Sequence, residues 1–287
     1  MAYLPKAMNK FVCADFCQGD DRFSFSSRGR QCVTNCITFM MKTLLKDIDD
    51  LSTHDMNTIL MRGDTLYRKV HTEDQVNGLL HCEELPDFII YEGNCFTFRK
   101  MKPNFGCMSI KGGIDGLGIP LESSINTVFA MSRCKNACII IFHSAAVAIK
   151  YHSQSGRYFV FDSHSRGEDG LCTPDETAIV SVFQSLQNLC SFLRHLCLSL
   201  CATLPLDQVQ YELCSFQISC SKKRKRGAIN LDGDFNYNIS SIDALPLLHC
   251  LPNSDSCGKF SFHTNIVHDP RVGHDLDPRS FGELQGQ

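Results

Sequence analysis

Tyr158-Phe159-Val160-Phe161-Asp162-Ser163-His164 is an apolar run that ends in an acid and a histidine two residues apart. In an extended chain successive side chains alternate between faces, so Asp162 and His164 project to one side, ~7 Å apart along the strand. Their side chains are then within reach of one hydrogen bond. About 130 residues upstream, Gly29-Arg30-Gln31-Cys32 opens a helical pattern. Val33, Cys36, Ile37, Met40, Leu44, Leu45 and Ile48 have the spacing of a helix over residues 32–48 with one broad buried face. A thiol at a helix start and a histidine with an acidic neighbour are the parts of nucleophilic thiol chemistry.

Short strands and helices surround these motifs. Residues 53–66 predict a second helix with Met56, Ile59, Leu60 and Leu66 inward. Residues 86–91 and 95–99 read as strands separated by Glu92-Gly93-Asn94. Gly112, Gly113, Gly116 and Gly118 mark a loop, and Pro120 precedes a helix over 121–132. Residues 137–142, 145–151 and 157–162 read as three strands in succession, with a hairpin turn at Ser153-Gln154-Ser155-Gly156. Residues 177–200 predict one long amphipathic helix, and 1–31 a loop-rich lead-in. The class is α/β, of the α+β kind.

The chain has 287 residues, 43% hydrophobic and 21% charged, enough for one globular domain with an appendage. Its net charge of −3 argues against nucleic acid as the main partner. Seventeen cysteines would suit a disulfide scaffold in a short secreted chain. The odd count, the length and an N-terminus without an apolar signal core point instead to a reducing compartment. Arg194 and His195 interrupt the longest apolar run, 189–206, which argues against a membrane span. Composition shifts after about residue 206, where the basic run Lys222-Lys223-Arg224-Lys225-Arg226 is followed by weakly periodic segments. We therefore expect a domain over 1–206, a boundary near 205–220, and a partly disordered extension over 207–287.

Only a few per cent of an ordinary cysteine is thiolate at neutral pH, and a helix N-terminus favours that form. Cys32 has this position, whereas Cys36 lies one turn further in and reads as core. His164 would take the thiol proton and return it to the leaving group, with Asp162 orienting the imidazole. Glu168 or Asp169 could orient it instead. An acyl-transfer site also needs donors for the developing oxyanion, each worth ~3–4 kcal/mol. The Cys32 backbone N–H is one. Gln18 and Gln31 can each supply a side-chain amide, and Gln18 is preferred because Gln31, next to the nucleophile, should point away from the pocket.

Gln18, Gly29-Arg30-Gln31-Cys32-Val33-Thr34-Asn35 and the run from Tyr158 to Arg166 resemble the N-terminal cysteine protease domain of herpesvirus large tegument proteins. The fourteen positions from Gln18 to Cys32 are close to that family's spacing. Gly29 to Cys32 matches its Gly-x-Gln-Cys, and Phe161 to His164 its Phe-Asp-x-His. Gly118-Ile119-Pro120 is similar to its Gly-Ile-Pro turn. The resemblance covers about residues 10–200. It implies a papain-like fold, with a central, mostly antiparallel sheet flanked by helices. It also implies a Cys32–His164–Asp162 site with Gln18 as oxyanion donor. The implied reaction is hydrolysis after the C-terminal glycine of ubiquitin or a ubiquitin-like modifier, with no cofactor. The 112–118 loop would wall a narrow cleft for that terminus.

Two other classes stand beside this one: a ubiquitin-binding module without catalysis, and a nucleic-acid-associated protein that uses residues 222–226. The same basic run reads as a nuclear localisation signal, placing the chain in cytoplasm, nucleus or both. Cys250, Cys257, His263 and His268 are spaced too tightly for a zinc finger.

Overall fold

The structure is a computed structural model that describes residues 9–71, 78–109, 119–130, 137–174, 176–200 and 204–232. The chain divides into two compact units, Met1–Asn236 and Tyr237–Gln287. The second lies outside the described residues, and so do the zinc candidates and the 112–118 loop.

Helix α1 (Cys32–Leu45) begins at the predicted thiol. Its apolar spacing predicts one buried face, yet it is buried nearly all round, Thr34, Thr38 and Thr43 included. Each threonine hydroxyl returns to its own helix, to Gln31 O at 2.9 Å, Thr34 O at 2.9 Å and Met40 O at 3.1 Å. Burying them therefore leaves no unpaired donor. Helix α2 (Thr53–Val70) packs alongside and starts from a capping box, with the Asp55 N–H donating to Ser52 Oγ at 3.3 Å and the Ser52 N–H to Asp55 Oδ2 at 2.9 Å. Gly63 of α2 faces Asn35 of α1; a Cβ there would lie 2.9 Å from the Asn35 Cα and overlap its side chain.

Eleven strands are described: β1 (Asn9–Cys13), β2 (Phe88–Tyr91), β3 (Asn94–Lys100), β4 (Asn104–Cys107), β5 (Ile119–Pro120), β6 (Ala137–Phe142), β7 (Ala145–His152), β8 (Arg157–Arg166), β9 (Thr177–Phe183), β10 (Gln210–Ser221) and β11 (Ile229–Asn230). They form one sheet in the order β1-β9-β8-β7-β6-β10-β3-β2-β11, with β4 on β10 and β5 on β4. All pairs are antiparallel except β11 with β2 and β5 with β4. The hairpin turn read at residues 153–156 forms as expected, and the separator at Glu92-Gly93 is a second one. Glu92 and Gly93 both take positive φ between β2 and β3, and Gly156 does so between β7 and β8.

The middle of the sheet is covered on both faces. Ile139, Ala146, Ala148, Phe159 and Phe161 join the core with α1 and α2, where Phe39 stacks on Phe161 at 4.8 Å. Ile140, Val147, Ile149 and Val160 join a second core with α3 (Leu121–Ala130) and α4 (Leu186–Leu200). The fold class is the one expected: mixed α/β, a large and mostly antiparallel sheet flanked by helices.

Two expectations need correction. Residues 177–200 are not one helix, because 177–183 form strand β9 between β1 and β8. Thr-Ala-Ile-Val-Ser-Val-Phe is buried along nearly its whole length, so it lacks the alternation that marks a half-exposed strand. The loop-rich lead-in also carries one strand, since β1 pairs with β9. The sheet also does not end near 206. β10 lies between β6 and β3, so the boundary expected at 205–220 falls inside the sheet, and the compact unit continues to Asn236. The basic run 222–226 is an exposed connection between β10 and β11.

Candidate active site

Strand β8 delivers the acid and the histidine through a bulge. It pairs with β9 as far as Asp162 opposite Ile179, and again only at Arg166 opposite Thr177. Four residues of β8 thus advance against two of β9, and Ser163, His164 and Ser165 bow out of the ladder. Asp162 Oδ1 accepts from the His164 ring at Nδ1, 2.7 Å, and from the His164 backbone N–H at 3.0 Å. Arg166 Nε donates to the other oxygen, Oδ2, at 2.6 Å. Nδ1 is committed to Asp162, which leaves the second ring nitrogen for another partner, and the Cys32 side chain lies near enough to help raise the imidazole's proton affinity.

The charges follow from this geometry. Burial pushes the Asp162 carboxyl up, but Arg166 and His164 outweigh it and hold the group well below the usual carboxylate range. Burial pushes His164 down, but the Asp162 carboxylate and the hydrogen bonds to Asp162 and Cys32 raise it to about 9. At neutral pH the ring therefore carries a proton it can give away. Cys36 contrasts with Cys32. Complete burial, and then the neighbouring Cys32 and Asp162, raise its thiol well above the ordinary value, and its Sγ donates to Ala146 O at 3.7 Å. It is a packing residue, as its helical position predicts.

Gln18 is buried beside this cluster. Its Nε2 donates to Gly29 O at 3.2 Å, and its Oε1 accepts from Ser163 Oγ at 2.8 Å and Asn35 Nδ2 at 3.4 Å. Gln31 turns the other way and donates to Asp64 Oδ1 at 3.0 Å. Asp169 Oδ1 accepts from the Leu171 N–H at 2.9 Å, so Asp162 and not Asp169 holds the histidine. The structure thus joins His164 to Asp162 directly, sets Cys32 near the imidazole, and ties Gln18 to the residue between Asp162 and His164. Sequence reasoning missed Arg166, Ser163, Asn35 and Gly63. Arg166 was within reach, because the alternation that pairs Asp162 with His164 continues to it. The other three carry no such signal, since their roles depend on how two helices and a loop meet. Among the described residues no group of three or more His, Cys, Asp or Glu side chains could hold a metal ion, and no helix is long and apolar enough to cross a membrane.

This sheet, with its helices on both faces, has the fold of a viral ubiquitin-specific protease. The crystal structure of the ubiquitin-specific protease encoded by murine cytomegalovirus tegument protein M48, in complex with a ubiquitin-based suicide substrate, matches with a TM-score of 0.59 and 18% identity, over 74% of this chain and 87% of that one. At that identity the likeness is one of fold. The chain belongs to the family described as herpesvirus tegument protein, N-terminal conserved region, whose family model matches residues 14–217. No curated protein sequence matches it.

Proposed function

We propose that this domain is a thiol isopeptidase that releases ubiquitin or a ubiquitin-like modifier. The observation that carries the reading is the hydrogen-bonded chain from His164 through Asp162 to Arg166, with the Cys32 thiol near the imidazole on the first residue of a buried helix. The ubiquitin-based substrate held by the M48 protease supports the choice of modifier.

Cys32 Sγ attacks the carbonyl carbon after the modifier's terminal glycine, and its proton resides on His164. The C=O electrons move onto oxygen, which accepts hydrogen bonds from the Cys32 N–H and Gln18 Nε2. On collapse the C–N bond breaks, and His164 protonates the leaving lysine amine. The resulting thioester is hydrolysed by a water that gives its proton to His164, which frees the modifier's carboxylate and regenerates the thiol. Asp162 keeps the imidazole in register throughout and stays ionised because Arg166 holds its second oxygen.

A ubiquitin probe bearing a C-terminal electrophile should form a covalent adduct with the wild-type chain and none with Cys32→Ala. An adduct that survives Cys32→Ala overturns the assignment. A wild-type chain that binds ubiquitin yet leaves a fluorogenic ubiquitin substrate uncut is a binding module instead.

A further inference from the structure

We propose that Ser163 and Asn35 are positioning residues that hold the Gln18 side-chain amide with its NH2 group, not its carbonyl, toward the reacting carbonyl. This deepens the isopeptidase reading and rests on it.

A primary amide is nearly symmetric in shape, and its two ends have opposite polarity. Gln18 reversed would aim a carbonyl oxygen at the developing oxyanion and repel what it should stabilise. The surroundings of Gln18 remove that choice. The Gly29 carbonyl can only accept, so the group 3.2 Å from it must be Nε2. The Ser163 hydroxyl, 2.8 Å from the other end, then donates to Oε1. The Asn35 amide reinforces this by donating Nδ2 to the same oxygen at 3.4 Å; turned over, it would set two carbonyl oxygens face to face. One Nε2 hydrogen goes to Gly29. Among the described residues the second has no partner assigned, so it is the hydrogen available to an oxyanion.

Burial makes the arrangement firm. Gln18, Asn35 and Ser163 are 2%, 1% and 0% exposed, so water cannot replace a lost donor. The backbone fixes the loop by separate bonds, Gln18 N–H to Ser163 O at 2.8 Å and Gly29 N–H to Gln18 O at 3.0 Å. Removing the Ser163 hydroxyl therefore frees the amide to turn without releasing the loop. The alternation of β8 divides the labour: Asp162 and His164 handle the proton, while Ser163 between them orients the oxyanion donor.

The experiment compares turnover with alkylation of Cys32 by iodoacetamide, a reaction that develops no oxyanion. Ser163→Ala should lower kcat on a fluorogenic ubiquitin substrate roughly ten- to a hundredfold, short of the ~100–1,000-fold expected from losing an oxyanion donor outright. KM and the Cys32 alkylation rate should stay within about twofold. Asn35→Ala should act in the same direction and more weakly, as its bond is longer. Ser163→Ala added to Gln18→Ala should cost nothing further. A Ser163→Ala kcat within twofold of wild type, or a double variant whose losses multiply, overturns the proposal. A structural role alone would lower alkylation along with turnover. If the wild type alkylates at Cys32 but cuts no modifier, the isopeptidase reading fails and the orientation is read without turnover. The two Gln18 side-chain NH2 resonances should be well separated in wild type and converge in Ser163→Ala; unchanged resonances overturn the proposal in that case too.

Discussion

His164 is charged at neutral pH because one carboxylate faces it and that carboxylate is itself held ionised by Arg166. The pH behaviour follows. His164 loses its proton near pH 9, and with it, on the proposed mechanism, goes the acid that would release the leaving amine. The kcat/KM profile on a ubiquitin substrate should therefore fall with an alkaline limb near 9. Asp162→Asn removes the charge that raises the imidazole, so its limb should move to lower pH by more than a unit; an unmoved limb would show that Asp162 does not set it. The stability consequence has the same sign. A histidine whose folded value lies above its unfolded one stabilises the fold fully below about 6.5, and that contribution is lost as pH rises through about 9. The melting temperature of wild type should exceed that of His164→Gln at pH 6, and the gap should narrow above pH 9. Asp162 works oppositely: its depressed value stabilises above the ordinary carboxylate range and is lost as pH falls through it. Cys32, His164, Asp162 and Gln18 were legible because helix start, alternation and chain spacing are properties of sequence. The Ser163 and Asn35 contacts span 145 and 17 residues, and no local pattern encodes such encounters.

At the scale of elements, the contact between α1 and α2 is set by a missing side chain. Alanine at an exposed helical glycine normally gains about 1 kcal/mol. At Gly63 a Cβ meets the Asn35 backbone and side chain, so the helices must part or Asn35 must move. Gly63→Ala should be net destabilising by about 1–3 kcal/mol in denaturant unfolding, as overpacked cores are. Because Asn35 supports Gln18, kcat should fall with it. A stabilised Gly63→Ala would mean that the helices do not pack this closely. Nothing in the α2 sequence announces the contact, since a mid-helix glycine reads only as a weak helix former. The β9 error has a related origin. A strand buried on both faces and lying between two partners is apolar nearly throughout, and a short continuous apolar run fits a helical wheel as well as a pleat. Where a turn residue punctuates the run, as at Gly93 and Gly156, the elements were read correctly and their turn-side ends to within a residue.

At the scale of the molecule, β10 joins two parts of the sheet, and its sequence shows why it was overlooked. Val209, Tyr211 and Leu213 point into the core of α3 and α4, while Cys214, Phe216 and Ile218 point into the core of α1 and α2. The buried parity reverses at Leu213/Cys214, so neither half alone is a convincing alternating strand. The reversal falls where the partner changes, from β6 and β4 along 210–215 to β3 along 216–221. Without β10, strands β3, β2 and β11 have no neighbour connecting them to β6, and Tyr211, Leu213, Phe216 and Ile218 vacate both cores. A chain ending at residue 206, the boundary that composition alone suggests, should fail to fold cooperatively. It should expose apolar surface and lose reactivity toward the ubiquitin probe, even though it retains Cys32, His164, Asp162 and Gln18. A chain ending at Asn236 keeps the whole sheet, and its cooperative melting and probe reactivity should match the full chain's. A well-folded, reactive 1–206 fragment would show that the sheet closes without its tenth strand. Equal failure of both truncations would place essential contacts beyond Asn236.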